Sequence, residues 1–229
     1  MTENKRYMVA IGSHDLIVET GKLAQQAGGA VTIREGDTMI LATATMSAHP
    51  RQGIDFFPLS VDLEERMYAA GRIPGGWFRR EGRPPVNAIL VARMTDRPLR
   101  PLFPKDMRNE VQVILTSLSH DQEHQHDIVS INAASAALHI SDIPWEGPIG
   151  AVRVGLIGDE FVINPTYEQM KETRLDLKLA GSADAVMMVE CAANEVDEAT
   201  MVEALQVGHD AIQPFIKPVS YTHLRAHET

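Results

Sequence analysis

The chain reads as a mixed α+β protein, and three observations predict this. β-Branched runs of strand length recur from Ala30 to Asn164, and three longer stretches carry helical spacing or helix-favouring small residues. The two kinds of segment do not follow the strict βαβα order of a doubly wound fold. At 229 residues, 44% hydrophobic and 23% charged, the chain is long enough to bury a substantial core, as one large domain or two small ones.

In order, Ala30-Val-Thr-Ile-Arg34 and Thr38 to Thr45 are strands joined by Glu35-Gly-Asp37, which gives a hairpin. A further strand falls near Leu59 to Leu63. After the Pro-Gly-Gly turn at 74–76, Val86 to about Asp96 is helical, with Ile89, Leu90, Arg93 and Met94 at helical spacing. Pro98 restricts Arg97 and lacks an amide, so this helix is expected to stop close by. Glu110 to Thr116 is a strand, and Asp127 is a candidate N-cap for a helix over Ile128 to His139. The small Ala and Ser residues of that helix suit close packing on a sheet. Ala151 to Leu156 and Glu160 to Asn164 form a second hairpin across Ile157-Gly-Asp159. Leu175-Asp-Leu-Lys-Leu179 alternates as a half-exposed strand does, and Ala185 to Glu190 continues the sheet. Asp197 starts a helix that runs to about Phe215. From about Val219 no amphipathic period follows the helix-ending Pro218, and the segment resembles a translated adapter at the end of a fragmentary gene. The expected organisation is one domain over 1–218 and a non-native read-through tail over 219–229, with the native chain continuing elsewhere.

The start of the chain is polar and no apolar run has the length of a signal or membrane helix, which argues against export and membrane insertion. A lone Cys191 cannot form an internal disulfide and suits a reducing cytoplasm; beside Val189 and Ala192 it is expected to be a buried thiol. The formal net charge of −10 speaks against broad nucleic-acid coating. Yet between Arg72 and Arg100 there are seven arginines, no lysines and two acids, a local balance of +5. Guanidinium forks grip phosphate bidentately, and aromatic rings stack on bases, so arginines beside Trp77 and Phe78 point to RNA. The competing role of these arginines is bracing through Glu81 and Asp96. His120, His124 and His126, with Asp121, Glu123 and Asp127, superficially invite a metal, but they lie between a strand and a helix start, and a solvated polar loop is the simpler reading.

The strings Asp55-Phe-Phe-Pro-Leu59, Glu65-Arg-Met-Tyr-Ala-Ala-Gly-Arg-Ile-Pro74, Phe78-Arg-Arg-Glu-Gly-Arg-Pro84, Ala92-Arg-Met-Thr-Asp-Arg-Pro-Leu-Arg-Pro-Leu-Phe-Pro104 and Asn109-Glu-Val-Gln-Val113 resemble the bacterial polynucleotide phosphorylase family, in its first RNase PH-like core domain. The resemblance covers about residues 6 to 217. It implies an α+β RNase PH-like fold, 3′ to 5′ phosphorolysis of single-stranded RNA with release of nucleoside diphosphates, a homotrimeric ring with a central channel, and a second core absent from this chain. Inorganic phosphate is then the co-substrate, and Mg²⁺ or Mn²⁺ is held outside these residues. It places Trp77, Phe78, Arg79 and Arg80 on a loop facing RNA, with Arg83, Arg93, Arg97 and Arg100 extending the basic track. It also implies that an active domain needs a serine-rich phosphate loop and two aspartates six apart. Here the loop reads His124-Gln-His-Asp-Ile-Val-Ser130, and the residue six before Asp176 is Met170, a poor ligand for a hard cation. The domain alone is therefore expected to be inert. The alternatives are a free-standing RNase PH-like exoribonuclease subunit and a nonenzymatic RNA-binding module.

Overall fold

A computed structural model of the chain describes residues 5–75 and 82–226, with side chains to residue 220. The described residues form β1 (Lys5–Ile11), β2 (His14–Thr20), β3 (Gly29–Glu35), β4 (Thr38–Pro50), β5 (Leu59–Glu64), α1 (Val86–Leu99), β6 (Asn109–Ser119), α2 (His126–His139), β7 (Gly150–Ile157), β8 (Glu160–Ile163), β9 (Leu175–Gly181), β10 (Val186–Ala193) and α3 (Glu198–Ala226). One sheet has six strands in the order β1-β2-β3-β4-β6-β5, the other four in the order β10-β9-β7-β8. All described pairings are antiparallel except β5 with β6, which α1 links by a crossover.

The fold is organised around α2. Every residue from Asp127 to Leu138 is buried, so this helix is apolar or small all round rather than amphipathic. It packs on β3, β4 and β6 of the first sheet and touches β7 of the second. Its small residues permit the close approach: a Cβ added at Gly29 of β3 would lie 2.1 Å from the carbonyl oxygen of Ala137. Two polar side chains clasp it to the start of β7. Asn132 Nδ2 donates to Ala151 O at 3.0 Å while Ala151 N donates to Asn132 Oδ1 at 2.8 Å. Ser135 Oγ donates to Ile149 O at 2.7 Å and accepts from Ile149 N at 2.9 Å. These side chains take the place of a neighbouring strand, satisfying backbone groups that burial would otherwise leave unpaired.

The hairpins and the spacing of the strands follow the sequence reading, and five particulars differ. Helix α1 runs through Pro98 to Leu99, because both residues are buried on its packed side, and a 3-10 turn over Arg100–Leu102 continues it. Helix α2 starts at His126 after the extended Gln125, so Asp127 is inside the first turn and not the cap; its Oδ1 accepts from Ile128 N. Helix α3 continues to Ala226 through Pro214 and Pro218, and Phe215, Ile216 and Val219 are buried beneath it. Val219 lines a small apolar cavity with Tyr7, Val9, Val18 and Val31 of the first sheet. Cys191 is exposed rather than buried, since β10 is an edge strand whose residues from Glu190 to Ala193 face outward. Strands β1 and β2, which the β-branched criterion missed, pair across Gly12-Ser13, with Gly12 at φ +60°. Among the described residues no helix is long and apolar enough to cross a membrane.

Candidate nucleic-acid interface

The arginines of the basic segment divide into two directions once α1 forms. Arg93 and Arg97, four apart, line both the groove on β5 and the pocket toward α2 and the second sheet. Arg97 Nη1 donates to Glu190 Oε2 of β10 at 3.0 Å, and Lys178 Nζ of β9 lies 3.5 Å from the other oxygen of Glu190. Arg93 has no ion pair among the described residues. Arg100 turns the other way. Its Nε and Nη2 grip Asp96 at 2.9 and 2.6 Å, and its Nη1 and Nη2 donate to Phe57 O and Leu59 O at 3.1 and 3.2 Å. Two of these bonds hold the end of α1 against the start of β5 and two fix the guanidinium on Asp96, which is the bracing role. Arg83 is exposed just before α1, whose start is preceded by the extended Pro85. Trp77, Phe78, Arg79, Arg80 and Glu81 lie outside the described residues.

Between α1, the start of α2 and the second sheet lies a pocket of about 620 Å³. Arg93, Arg97, Arg153 and Lys178 give its wall four cationic groups, against Asp127 and Glu190, and Gln125, His126 and Tyr167 complete its polar side. A second groove of about 460 Å³ runs between α1 and β5, with Arg93, Arg97 and Arg100 on one wall and Asp62 and Asp96 also lining it. Clustered guanidinium and ammonium groups in a concave wall attract phosphate-bearing ligands. Arg153, Lys178 and Tyr167 were not singled out from the sequence. An arginine inside the apolar run Ala151-Val-Arg-Val-Gly was the available signal, since such a charge is retained in a buried strand only with partners.

Arg153 has those partners. It is 5% exposed, and its guanidinium lies 3.1 Å from Asp127 Oδ2 and 2.8 Å from Asp176 Oδ1. Asp176 therefore faces a fixed cation. Met170 sits in a 3-10 turn over Gln169–Lys171, with its amide donating to Thr166 O at 2.9 Å. The start of α2 offers no serine cradle: Gln125 gives no side-chain cap, and Ser130 is buried a turn further on. No group of three His, Cys, Asp or Glu among the described residues could hold a metal ion. The divalent ion implied by the resemblance does not fit at Asp176, where a guanidinium already fills the space between two carboxylates.

The histidine segment is no solvated loop. Asp121 accepts from the amides of Asp37, Glu123 and His124, from Thr38 Oγ1, and from His124 Nδ1 at 2.7 Å. Burial works against its charge, yet the His124 and Glu123 amides and the His124 and Thr38 side chains hold its carboxyl well below the usual range. His126 stacks on His120 with ring centroids 4.2 Å apart and lies 3.0 Å from Ser117 Oγ. Burial, and then the neighbouring His120, push its pKa down to about 4, so the ring is neutral at pH 7. Glu35 is buried at 3% exposure and accepts from Asn164 Nδ2 at 3.1 Å; burial raises its pKa. This network ties the turn between β3 and β4 to the entry of α2 rather than assembling a metal site.

Two sheets around a buried helix are the architecture of an RNase PH-like domain. A solved structure of the Archaeoglobus fulgidus exosome with RNA bound to its active site superposes with a TM-score of 0.70, over 93% of this chain and 89% of that chain, at 18% identity. The chain belongs to the 3′ exoribonuclease family, whose domain 1 matches residues 12–144 and whose domain 2 matches residues 147–211. It is 56% identical over 220 residues to the polyribonucleotide nucleotidyltransferase of Desulfitobacterium hafniense, and 57% identical over 212 residues to that of Thermus thermophilus. These alignments take in 96% and 93% of this chain but 30% of each relative, so the chain spans about 30% of the length of the curated relatives it matches.

Proposed function

We propose that the chain is the first, noncatalytic RNase PH-like core of a polyribonucleotide nucleotidyltransferase, guiding single-stranded RNA and contributing to a cytoplasmic homotrimeric ring. The whole protein degrades RNA from its 3′ end by phosphorolysis, with inorganic phosphate as co-substrate and nucleoside diphosphates as products. Its Mg²⁺ or Mn²⁺ belongs to a second core outside this chain. Residues 219–229 form a non-native extension of the domain at 1–218 in this reading.

The observation that carries the proposal is the pairing of a cationic pocket with a disabled acid. Arg93, Arg97 and Lys178 line a concavity suited to a polyanion, while Asp176 faces the buried Arg153 guanidinium and has no partner carboxylate at Met170. Phosphorolysis needs an oriented phosphate and a cation that offsets charge on the leaving oxygens. Trp77 and Phe78 stack on bases, Arg79 and Arg80 take phosphates, and Arg83, Arg93 and Arg97 extend the track. Arg100 serves the same surface indirectly, by fixing α1.

The test has two arms. Given poly(A), Mg²⁺ and inorganic phosphate, the purified chain releases no nucleoside diphosphate above background; phosphate-dependent release abolished by Asp176→Asn would favour the free-standing exoribonuclease. In anisotropy titrations with single-stranded RNA, replacing Arg79 and Arg80 by alanine lowers the log-log salt slope by roughly 1.4, the value for two lost phosphate contacts. An unchanged slope and affinity would remove these two residues from the RNA path.

A further inference from the structure

Three charged side chains from three elements meet inside the molecule: Asp127 on α2, Arg153 on β7 and Asp176 on β9. Their sum is one negative charge. The arginine is nearly inaccessible, and its Nε–Nη2 edge faces both oxygens of Asp176, with the Nη2 bond to Oδ2 long at 3.5 Å. Nε lies 2.8 Å from Asp176 Oδ1, but its N–H is not aimed along that contact, and Nη1 has no hydrogen-bond partner although it is buried. The same edge of Arg100 makes two well-formed bonds to Asp96, at 2.9 and 2.6 Å. Here attraction to two carboxylates holds the group, and its hydrogen-bonding capacity is only partly used. Burying a charge so incompletely bonded is costly unless the surrounding charges require it.

We propose that Arg153 is a resident cation whose charge holds Asp127 and Asp176 together and excludes divalent metal from the space between them. The reading goes beyond the RNA-guiding role, because it concerns what this position binds whether or not RNA is present. Asp127 and Asp176 are fixed by the first turn of α2 and the middle of β9, so removing the guanidinium leaves two carboxylates converging on a vacated volume. Arg153 also lines the pocket of about 620 Å³, which gives an ion and its waters a route inward. Two carboxylate oxygens plus water form the all-oxygen environment that Mg²⁺ and Mn²⁺ accept. Like charges facing each other without the arginine repel, and a bound divalent ion relieves that repulsion.

The test is Mn²⁺ binding, followed by electron paramagnetic resonance and calorimetry on the full chain. Wild type shows no site that depends on Asp176. Arg153→Ala gains one Mn²⁺, bound tenfold or more tighter than by wild type, and the gain disappears in Arg153→Ala/Asp176→Asn. Arg153→Lys, which keeps a positive charge, gains nothing. Should Arg153→Ala fail to fold in metal-free buffer, its refolding yield with millimolar Mn²⁺ or millimolar guanidinium ion is the readout, and either cation restores it. The proposal is overturned if the folded alanine variant binds Mn²⁺ no tighter than wild type. It is equally overturned if the gained site survives Asp176→Asn, or if neither cation rescues folding.

Discussion

His126 shows how a single side chain sets the response of the molecule to acid. Its pKa is about 4 in the folded chain against an ordinary 6.5. Between those values the unfolded chain takes up a proton that the folded chain refuses, so stability is full above about pH 6.5 and falls as pH drops toward 4. The shift corresponds to roughly 3 kcal/mol at most, since one pKa unit is about 1.4 kcal/mol. His14, lowered by burial and then by His124, acts in the same direction, and Asp121 adds a further loss as pH falls below its ordinary value of 3.8. Glu35 opposes them: its raised pKa stabilises the protonated form, and that contribution declines as pH rises through 4.5. Denaturant titrations at pH 7 and pH 4.5 measure the net effect, and His126→Gln flattens it. None of this was legible in the sequence, which shows three histidines within seven residues but not that Thr38 and Asp37, more than 80 positions earlier, close over them.

At the scale of elements, the legible part was wherever local pattern and tertiary packing agree. The hairpins β3–β4 and β7–β8 follow from β-branched runs around Glu35-Gly-Asp37 and Ile157-Gly-Asp159, and the small residues of α2 announced a close contact. Helix ends were misjudged where burial outweighs local cost. Pro98 forfeits one amide, yet α1 continues because Pro98 and Leu99 are covered. The candidate RNA residues were legible as composition, but their division was not. Only the rotation of α1 reveals that Arg100 faces β5 while Arg97 faces Glu190. The contact between α2 and β3 makes the firmest element-scale prediction. Gly29→Ala places a Cβ 2.1 Å from Ala137 O and 3.0 Å from Ser141 Cβ, so backbone must move. The expected cost is roughly 3 kcal/mol, near the top of the range for overpacking, and a fall in thermal midpoint of about 6–12 °C by calorimetry.

For the molecule as a whole, how far the packed domain extends along α3 is a question of burial. Val219 is 5% exposed against β1, β2 and β3, and Ser220 Oγ donates to Ile216 O at 3.0 Å. Removing residues 221–229 is expected to leave the thermal midpoint unchanged. Removal from Val219 onward costs about 1.5 kcal/mol or more of buried apolar surface and lowers the midpoint by roughly 3–6 °C. The loss of amphipathic period after Pro218 is visible locally in the sequence, but Val219 reaching back to the first three strands is not.

The clasp of Asn132 and Ser135 onto Ala151 and Ile149 has a consequence for how the chain loses its structure. Those side chains lie in the span matching domain 1 of the family, and their backbone partners lie in the span matching domain 2. A severed 1–145 piece would keep α2 with one flank bare and two buried polar side chains orphaned, while the remainder would lose the side-chain partners of Ile149 and Ala151. The two spans are therefore halves of a single foldon. Amide protons in α2 and β7 are expected to exchange with solvent through the same global opening, with one cooperative melting event where the family divides the chain into two.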